Sequence, residues 1–239
     1  DRCVLADNTY LGGRRVEIGD DFFGYNWDRS YLDVGMGRKD EEDAVLLIGS
    51  RCTAHDNRID LARHVTIGND VGLSPEVVLY NHGYWNSVLQ GYPYSLGPIE
   101  IKDGVIIGFR SVILPNTTIG KNSVVGAQSV ANGWLEEETV YAGNPARKIR
   151  LIQKLNVGVQ QVILKQILDD YKASCVYRGL WFEYKLQFPT FCAFKCQFNV
   201  STLAIEGEED ERSDDLREFL FKRGVRLYTQ RPFRKLPKR

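Results

Sequence analysis

Ile101-Lys-Asp-Gly-Val105-Ile, Ile107-Gly-Phe-Arg-Ser111-Val, Ile113-Leu-Pro-Asn-Thr117-Thr, Ile119-Gly-Lys-Asn-Ser123-Val and Val125-Gly-Ala-Gln-Ser129-Val follow one another without a gap. Each unit opens with Ile or Val and carries a small or β-branched residue four places later. A helix spaces its apolar residues at 3.6 and a flat strand at two; a clean six fits neither. It fits a coil of short strands in which each unit forms one flat side and its aliphatic residue points into a narrow axial core. The phase extends upstream through Ile67-Gly-Asn-Asp-Val71-Gly, Leu73-Ser-Pro-Glu-Val77-Val and Leu79-Tyr-Asn-His82. It blurs around Ile59 and Leu61 and returns in fragments at Leu47-Ile48-Gly49 and Ile18-Gly19-Asp20-Asp21-Phe22.

The repeats divide the chain of 239 residues. Residues 1–150 hold the coil; 151–175 read as a connecting helix, with aliphatics recurring at three and four. Residues 176–239 read as a small α/β appendage. Within it, 181–188 and 194–200 alternate with period two and read as two strands separated near Pro189. Ser213 is the expected N-cap of a further helix, Gly224 its C-terminal stop and 225–228 a closing strand. The appendage reads as an oligomer- or partner-facing surface, because it carries no motif assignable to chemistry.

One break in the repeat stands out. Residues 83–98 leave the six-residue phase directly after His82 and include Tyr84, Trp85, Tyr92, Pro93 and Tyr94. A stretch of this length with neither helix nor strand pattern is expected to project as a loop from the coil, where binding sites concentrate.

Lys plus Arg equals Asp plus Glu at 31 each. No bulk electrostatic case for nucleic acid follows, and the basic end 231–239 is expected to be solvated. The odd count of five cysteines favours free thiols in a reducing compartment, hence a cytoplasmic location. Cys192 and Cys196 lack metal-site spacing and read as buried small hydrophobes. No apolar run approaches the length of a membrane span, and the start does not read as a signal sequence. The opening at Asp1, without Met, suggests a piece of a longer chain.

The repeats, a histidine ahead of an insertion, and the ending Ala142-Gly-Asn-Pro-Ala-Arg-Lys-Ile-Arg150 together resemble the hexapeptide-repeat acyltransferases, specifically the acetyl-CoA-dependent sugar O-acetyltransferases. The resemblance covers residues from about 45 to 152. It implies a mainly β fold, a left-handed parallel β-helix of three hexapeptides per coil. It also implies a homotrimer with active sites between subunits, and transfer of acetyl from CoA to a hydroxyl of a sugar or cell-surface polysaccharide.

His82 matches the family's catalytic histidine, the base that takes the acceptor's proton. By resemblance a polar residue of the preceding coil holds the acceptor, which points to His55, Asp56 or Asn57. His64 and His82 lie eighteen residues apart, one full coil, and should share a face if that spacing holds; His64 would then help shape the acceptor site, with Asn81 and the loop residues Tyr84 and Trp85. The backbone near Gly108 would supply the oxyanion donor. The pantetheine arm of acetyl-CoA would pass Gly108, Phe109, Gly126 and Ala127, and Pro145, Arg147, Lys148 and Arg150 would lie near the adenine and phosphates.

The chain departs from the family pattern in three places. Phe109 is larger than the usual residue, Asn116 replaces a turn glycine, and 130–138 lacks a lysine expected near the CoA phosphates. N-acetylation of an amino sugar, nucleotide-linked, fits the same residues. A zinc-dependent carbonic-anhydrase-like β-helix would need histidines closer in sequence than 55, 64 and 82, so no metal is expected. A non-catalytic scaffold is the remaining alternative.

Overall fold

The computed structural model describes residues 3–5, 9–25, 33–35, 42–229 and 231; residues 232–239 of the basic end lie outside the described set. The chain divides into two compact units, residues 1–152 and 153–239.

The first unit is a left-handed parallel β-helix with three sheets, each built from one side of successive coils. One runs through Val4–Leu5, Phe23–Tyr25, Thr53–His55, Gly72–Leu73, Ile106–Ile107, Val124–Val125 and Thr139–Ala142. The second ends in Arg58–Asp60, Val78–Leu79, Val112–Ile113 and Val130–Ala131, and the third in Val65–Ile67, Ile99–Ile101, Thr117–Ile119 and Trp134–Leu135. In the regular coils each residue sits over the one eighteen positions on: Ile107 on Val125, Ile113 on Ala131, Ile99 on Thr117.

The period of six has a direct physical cause. Ile101, Ile107, Ile113, Ile119 and Val125 are all buried in the axial core. The residue four places later turns the corner. Ser111 Oγ donates to the Gly126 carbonyl at 2.8 Å and Ser123 Oγ to that of Glu136 at 2.6 Å, while the Gly143 amide donates to Ser129 Oγ at 2.9 Å. Small hydroxyl residues thus fill tight corners and satisfy backbone groups that the sheets leave over. Asn116 stands at φ 61°, the left-handed conformation that its replacement of glycine requires.

Gly120 shows how closely coils approach. A β-carbon there would lie 2.5 Å from the amide nitrogen of Glu137, a backbone atom that cannot step aside. Gly120→Ala is therefore expected to lower unfolding free energy by about 2–4 kcal/mol, through overpacking between coils, measured by denaturant titration against the wild type.

The second unit has its own core. Helix α1 (Val157–Tyr177) and helix α2 (Glu211–Phe221) bury Leu164, Leu168, Tyr171, Leu216 and Leu220 together with Phe191 and Phe198 of an antiparallel sheet. That sheet has four strands, Tyr184–Gln187, Thr190–Ala193, Cys196–Asn199 and Ala204–Gly207, where alternation suggested two.

Several expectations shift here. The connecting helix expected over 151–175 starts later: Arg147–Leu151 folds back antiparallel on Thr139–Ala142, and α1 begins at Val157 behind its cap Asn156. The α2 cap is Asp210, three residues before Ser213. Its carboxylate accepts from the Ser213 amide at 3.0 Å while Ser213 Oγ accepts from the Asp210 amide at 2.8 Å, a reciprocal capping box. Residues 225–228 contribute one isolated bridge, Ala204 to Tyr228, and no strand. The five cysteines are free thiols. Cys196 is buried as expected, but Cys192 is exposed, because strand alternation gives the interior to its neighbours Phe191 and Ala193.

Candidate active site

The site begins with a mismatch of spacing. Arg58 pairs with Val78 and Ile59 with Leu79, an offset of twenty, so Asp60 lies under Tyr80 at the end of that side. The chain then leaves the helix: His82–Gly83 pairs antiparallel with Ser95–Leu96, closing 83–98 into a hairpin-like loop. A short 3-10 turn at Val88–Gln90 ends at Gly91 with φ 83°. The chain rejoins the helix with Ile99 on Val65.

His82 is held at the foot of this loop with its side chain 14% exposed, against a carboxylate, Asp60, that is 7% exposed. Asp60 Oδ2 takes the hydrogen bond of His82 Nδ1, and Asp60 Oδ1 accepts from the Ala62 amide at 3.2 Å. An ionised carboxylate can only accept, so the proton of the neutral imidazole sits on Nδ1 and the lone pair on Nε2. That nitrogen faces the Tyr80 hydroxyl at 3.4 Å, which donates to it. Four rings then run outward in sequence. Tyr80 and His82 have centroids 4.7 Å apart, His82 and Tyr84 5.3 Å, and Tyr84 and Tyr94 5.9 Å in a stacked pair. Beyond them Trp85 is 95% exposed.

Asp60, the carboxylate that holds His82, is not among the site residues that the sequence suggests. It lies 22 residues before His82, in the stretch where the repeat loses phase, so no multiple of six points to it.

Other expectations separate. His64 does not sit on the face of His82. The twenty-residue offset and the loop place Ile99 on Val65, so His64 stacks toward Pro98. Asn57 is fully buried, accepting from the His55 amide at 2.6 Å and donating to the Ser74 carbonyl at 2.8 Å. Asn81 is likewise fully buried, with Nδ2 donating to the Arg63 carbonyl. Both amides brace the coil, because corners with irregular spacing leave backbone groups to satisfy, and neither offers an accessible atom to an acceptor. Tyr84 and Trp85 are exposed at the loop. Among the described residues no group of three or more His, Cys, Asp or Glu side chains is arranged to hold a metal.

His55 is half-buried in the coil below. Burial lowers its pKa from the ordinary value of 6.5, against a smaller raising effect of the Asp56 charge. A histidine whose folded pKa is depressed binds fewer protons than the unfolded chain, so its contribution to stability is intact above pH ~6.5 and lost as pH falls below it. Thermal melts from pH 7.5 to 5 are expected to show a smaller decline for His55→Gln than for the wild type.

The later coils offer a second set of groups. The Gly108 and Gly126 amides donate to Val125 and Tyr141 carbonyls at 2.8 and 2.7 Å. Gly108 therefore does not supply an oxyanion donor; its amide belongs to the ladder, and its lack of a side chain answers to the Ala127 backbone, 2.5 Å from where a β-carbon would lie. The adjacent Phe109 and Ala127 amides meet no acceptor among the described residues. Phe109 is 37% exposed, with the Arg110 guanidinium 4.8 Å above its ring.

In the last turn Pro145 is exposed, and Arg147 and Arg150 reach only carbonyls, of Ala146 at 3.3 Å and Leu151 at 3.2 Å. Lys148 instead pairs with Glu136, which raises its pKa above the usual lysine value. The acidic stretch 136–138 thus reaches back onto one of the three expected cations. For a CoA thioester the chain presents amide donors at two stacked corners and two guanidinium groups outside any ion pair among the described residues. Those donors fit a thin amide-bearing arm with phosphates at its end.

The structure thus joins a β-helix of stacked hexapeptides to a histidine–carboxylate pair at the root of its loop. Residues 98–133 match the family model described as bacterial transferase hexapeptide (six repeats). The Saccharomyces cerevisiae protein YJL218W, whose name gives acetyltransferase as a provisional assignment, is 40% identical over 111 residues, 45% of this chain and 56% of that one. Galactoside O-acetyltransferase of Escherichia coli is 42% identical over 91 residues, 37% of this chain and 44% of that enzyme. This chain thus spans about half the length of the curated relatives it matches. Among solved structures, a single-residue mutant of AntD, an N-acyltransferase from Bacillus cereus, in complex with dTDP and coenzyme A, shares the fold. It has 22% identity and a TM-score of 0.50 over 69% of this chain and 89% of that one.

Proposed function

We propose that the protein transfers acetyl from acetyl-CoA to a hydroxyl of a sugar or polysaccharide, with His82 as general base. The observation that carries this reading is the orientation of His82. Its Nδ1–H is committed to Asp60, so Nε2 presents a lone pair at the mouth of an exposed aromatic loop. A neutral sugar hydroxyl is a poor nucleophile. A base in place takes its proton as the oxygen attacks the thioester carbonyl. The protonated imidazole, stabilised by Asp60, then returns the proton to the departing thiolate, leaving an acetyl ester and CoA thiol. An acceptor hydroxyl reaches Nε2 by replacing the Tyr80 hydroxyl as donor.

Binding of the thioester falls to the corners at Phe109 and Ala127 and to Pro145, Arg147 and Arg150, with Lys148 weakened for this task by Glu136. The outward faces of the coils support a homotrimer with the acceptor groove between subunits, since a solenoid side with partly exposed aliphatics such as Ile106 gains by being covered. An amino sugar acceptor would use the same base.

The test is thiol release from acetyl-CoA in the presence of a panel of sugars and amino sugars, with sedimentation to read the assembly. Acetyl ester formation supports the reading; amide formation alone would move the activity to N-acetylation; and no binding of acetyl-CoA by the wild type would overturn it.

A further inference from the structure

Residues 83–98 hold no Asp, Glu, Lys, Arg or His, in a chain that is 26% charged. The loop instead exposes Tyr84, Trp85, Leu89, Tyr92 and Tyr94 to between 50% and 95%. Solvent exposure ordinarily selects charged side chains, so a neutral aromatic surface of this kind marks a contact. The rings are also continuous with the base: His82 to Tyr84 to the stacked Tyr84–Tyr94 pair.

We infer that this loop is the subsite for an uncharged sugar ring, so that the acceptor is a neutral saccharide or glycoside and neither a sugar nucleotide nor an acidic sugar. The inference rests on the reading of His82 as base. A pyranose has an apolar face of C–H groups and a rim of hydroxyls. Its face packs on an aromatic plane while a rim hydroxyl reaches sideways, the relation that Tyr84 and His82 bear to one another.

An anionic acceptor would need cations at the same place, and a guanidinium or ammonium is the group that recognises phosphate or carboxylate. Arg63, whose carbonyl receives Asn81, has its guanidinium on Asp43 at 3.2 Å, and Lys102 beyond the loop pairs with Glu100 at 2.6 Å. The charge closest to the base is the Asp60 carboxylate, which repels an anion.

The experiment measures thiol release from acetyl-CoA with three acceptor groups: neutral methyl and p-nitrophenyl glycosides, methyl glucuronide, and dTDP-glucose with UDP-N-acetylglucosamine. Neutral glycosides are expected to exceed both anionic groups in kcat/KM by about tenfold or more. Tyr84→Ala and Tyr94→Ala are expected to raise the KM for the neutral glycoside by about fivefold, the worth of one aromatic contact, with Tyr84→Trp restoring it. The effect falls on acceptor KM more than on the KM for acetyl-CoA.

Preference for sugar nucleotides or glucuronide would overturn the neutral subsite while leaving His82 as base. A loss of assembly in Tyr84→Ala or Tyr94→Ala by sedimentation, with acceptor KM unmoved, would assign the rings to a second copy of the chain and also overturn it. Failure of every acceptor group would overturn the base reading first.

Discussion

His82→Ala is expected to lower kcat/KM for acetyl transfer by about 10²- to 10⁴-fold, the range spanned by loss of a positioned general base. The loss should fall on kcat. Binding of acetyl-CoA, read by calorimetry, should change little, because the groups proposed to hold it lie at Phe109, Ala127, Arg147 and Arg150 on later coils. Folding should also survive. His82 sits where the chain leaves the helix, outside the row of axial aliphatics. A melting temperature close to wild type with kcat/KM down by two decades or more is the expected pair of readings. Normal-rate transfer by the variant removes His82 from the mechanism.

Asp60→Asn is expected to lower kcat by about 10²-fold or more with small changes in either KM. Asp60 touches no acceptor in this arrangement. It fixes the tautomer and stabilises the imidazolium, which makes it a positioning residue. The asparagine side chain keeps the shape but can present its NH₂ to the ring, which favours a proton on Nε2 and removes the lone pair from the acceptor side. Two readouts separate this role from a merely structural one. The ring nitrogens of His82, read by 15N NMR, should carry the proton on Nδ1 in the wild type and on Nε2 in Asp60→Asn, because the carboxylate acceptor is gone. Asp60→Glu should also regain part of kcat, while a structural defect would lower the melting temperature of both variants alike. The Asp60 carboxylate also accepts from the Ala62 amide, so some loss of stability is expected in each.

Much of the fold was legible because it is a local code. An aliphatic residue every six positions and a small residue at each corner are demands that each coil makes of its own six residues, and they read off the chain from Ile101 to Val130 without knowledge of any distant contact. The break at 83–98 was visible for the same reason. His82 was legible through its place at that break.

What lay beyond the sequence depends on offsets that the local pattern does not carry. The coil between Ile59 and Leu79 holds two residues more than the regular eighteen. That excess carries His64 away from His82 and brings Asp60 to it. Asn57 and Asn81 are buried, with their side-chain NH₂ groups donating to the Ser74 and Arg63 carbonyls. In the second unit, side-chain bonds to the backbone moved the α2 cap from Ser213 to Asp210, a choice between two good caps that turns on which residue adopts extended backbone.

By itself, then, the sequence determined the helix of hexapeptides, the position of the loop and the histidine at its root, because these follow from residue spacing along one chain. Only the tertiary structure decided which carboxylate orients that histidine, which amides remain open at Phe109 and Ala127, and that Glu136 occupies Lys148. Each of these is set by the stacking of one coil upon another: two extra residues in a single coil reassign the pairs across that coil, while the later coils keep their offset of eighteen.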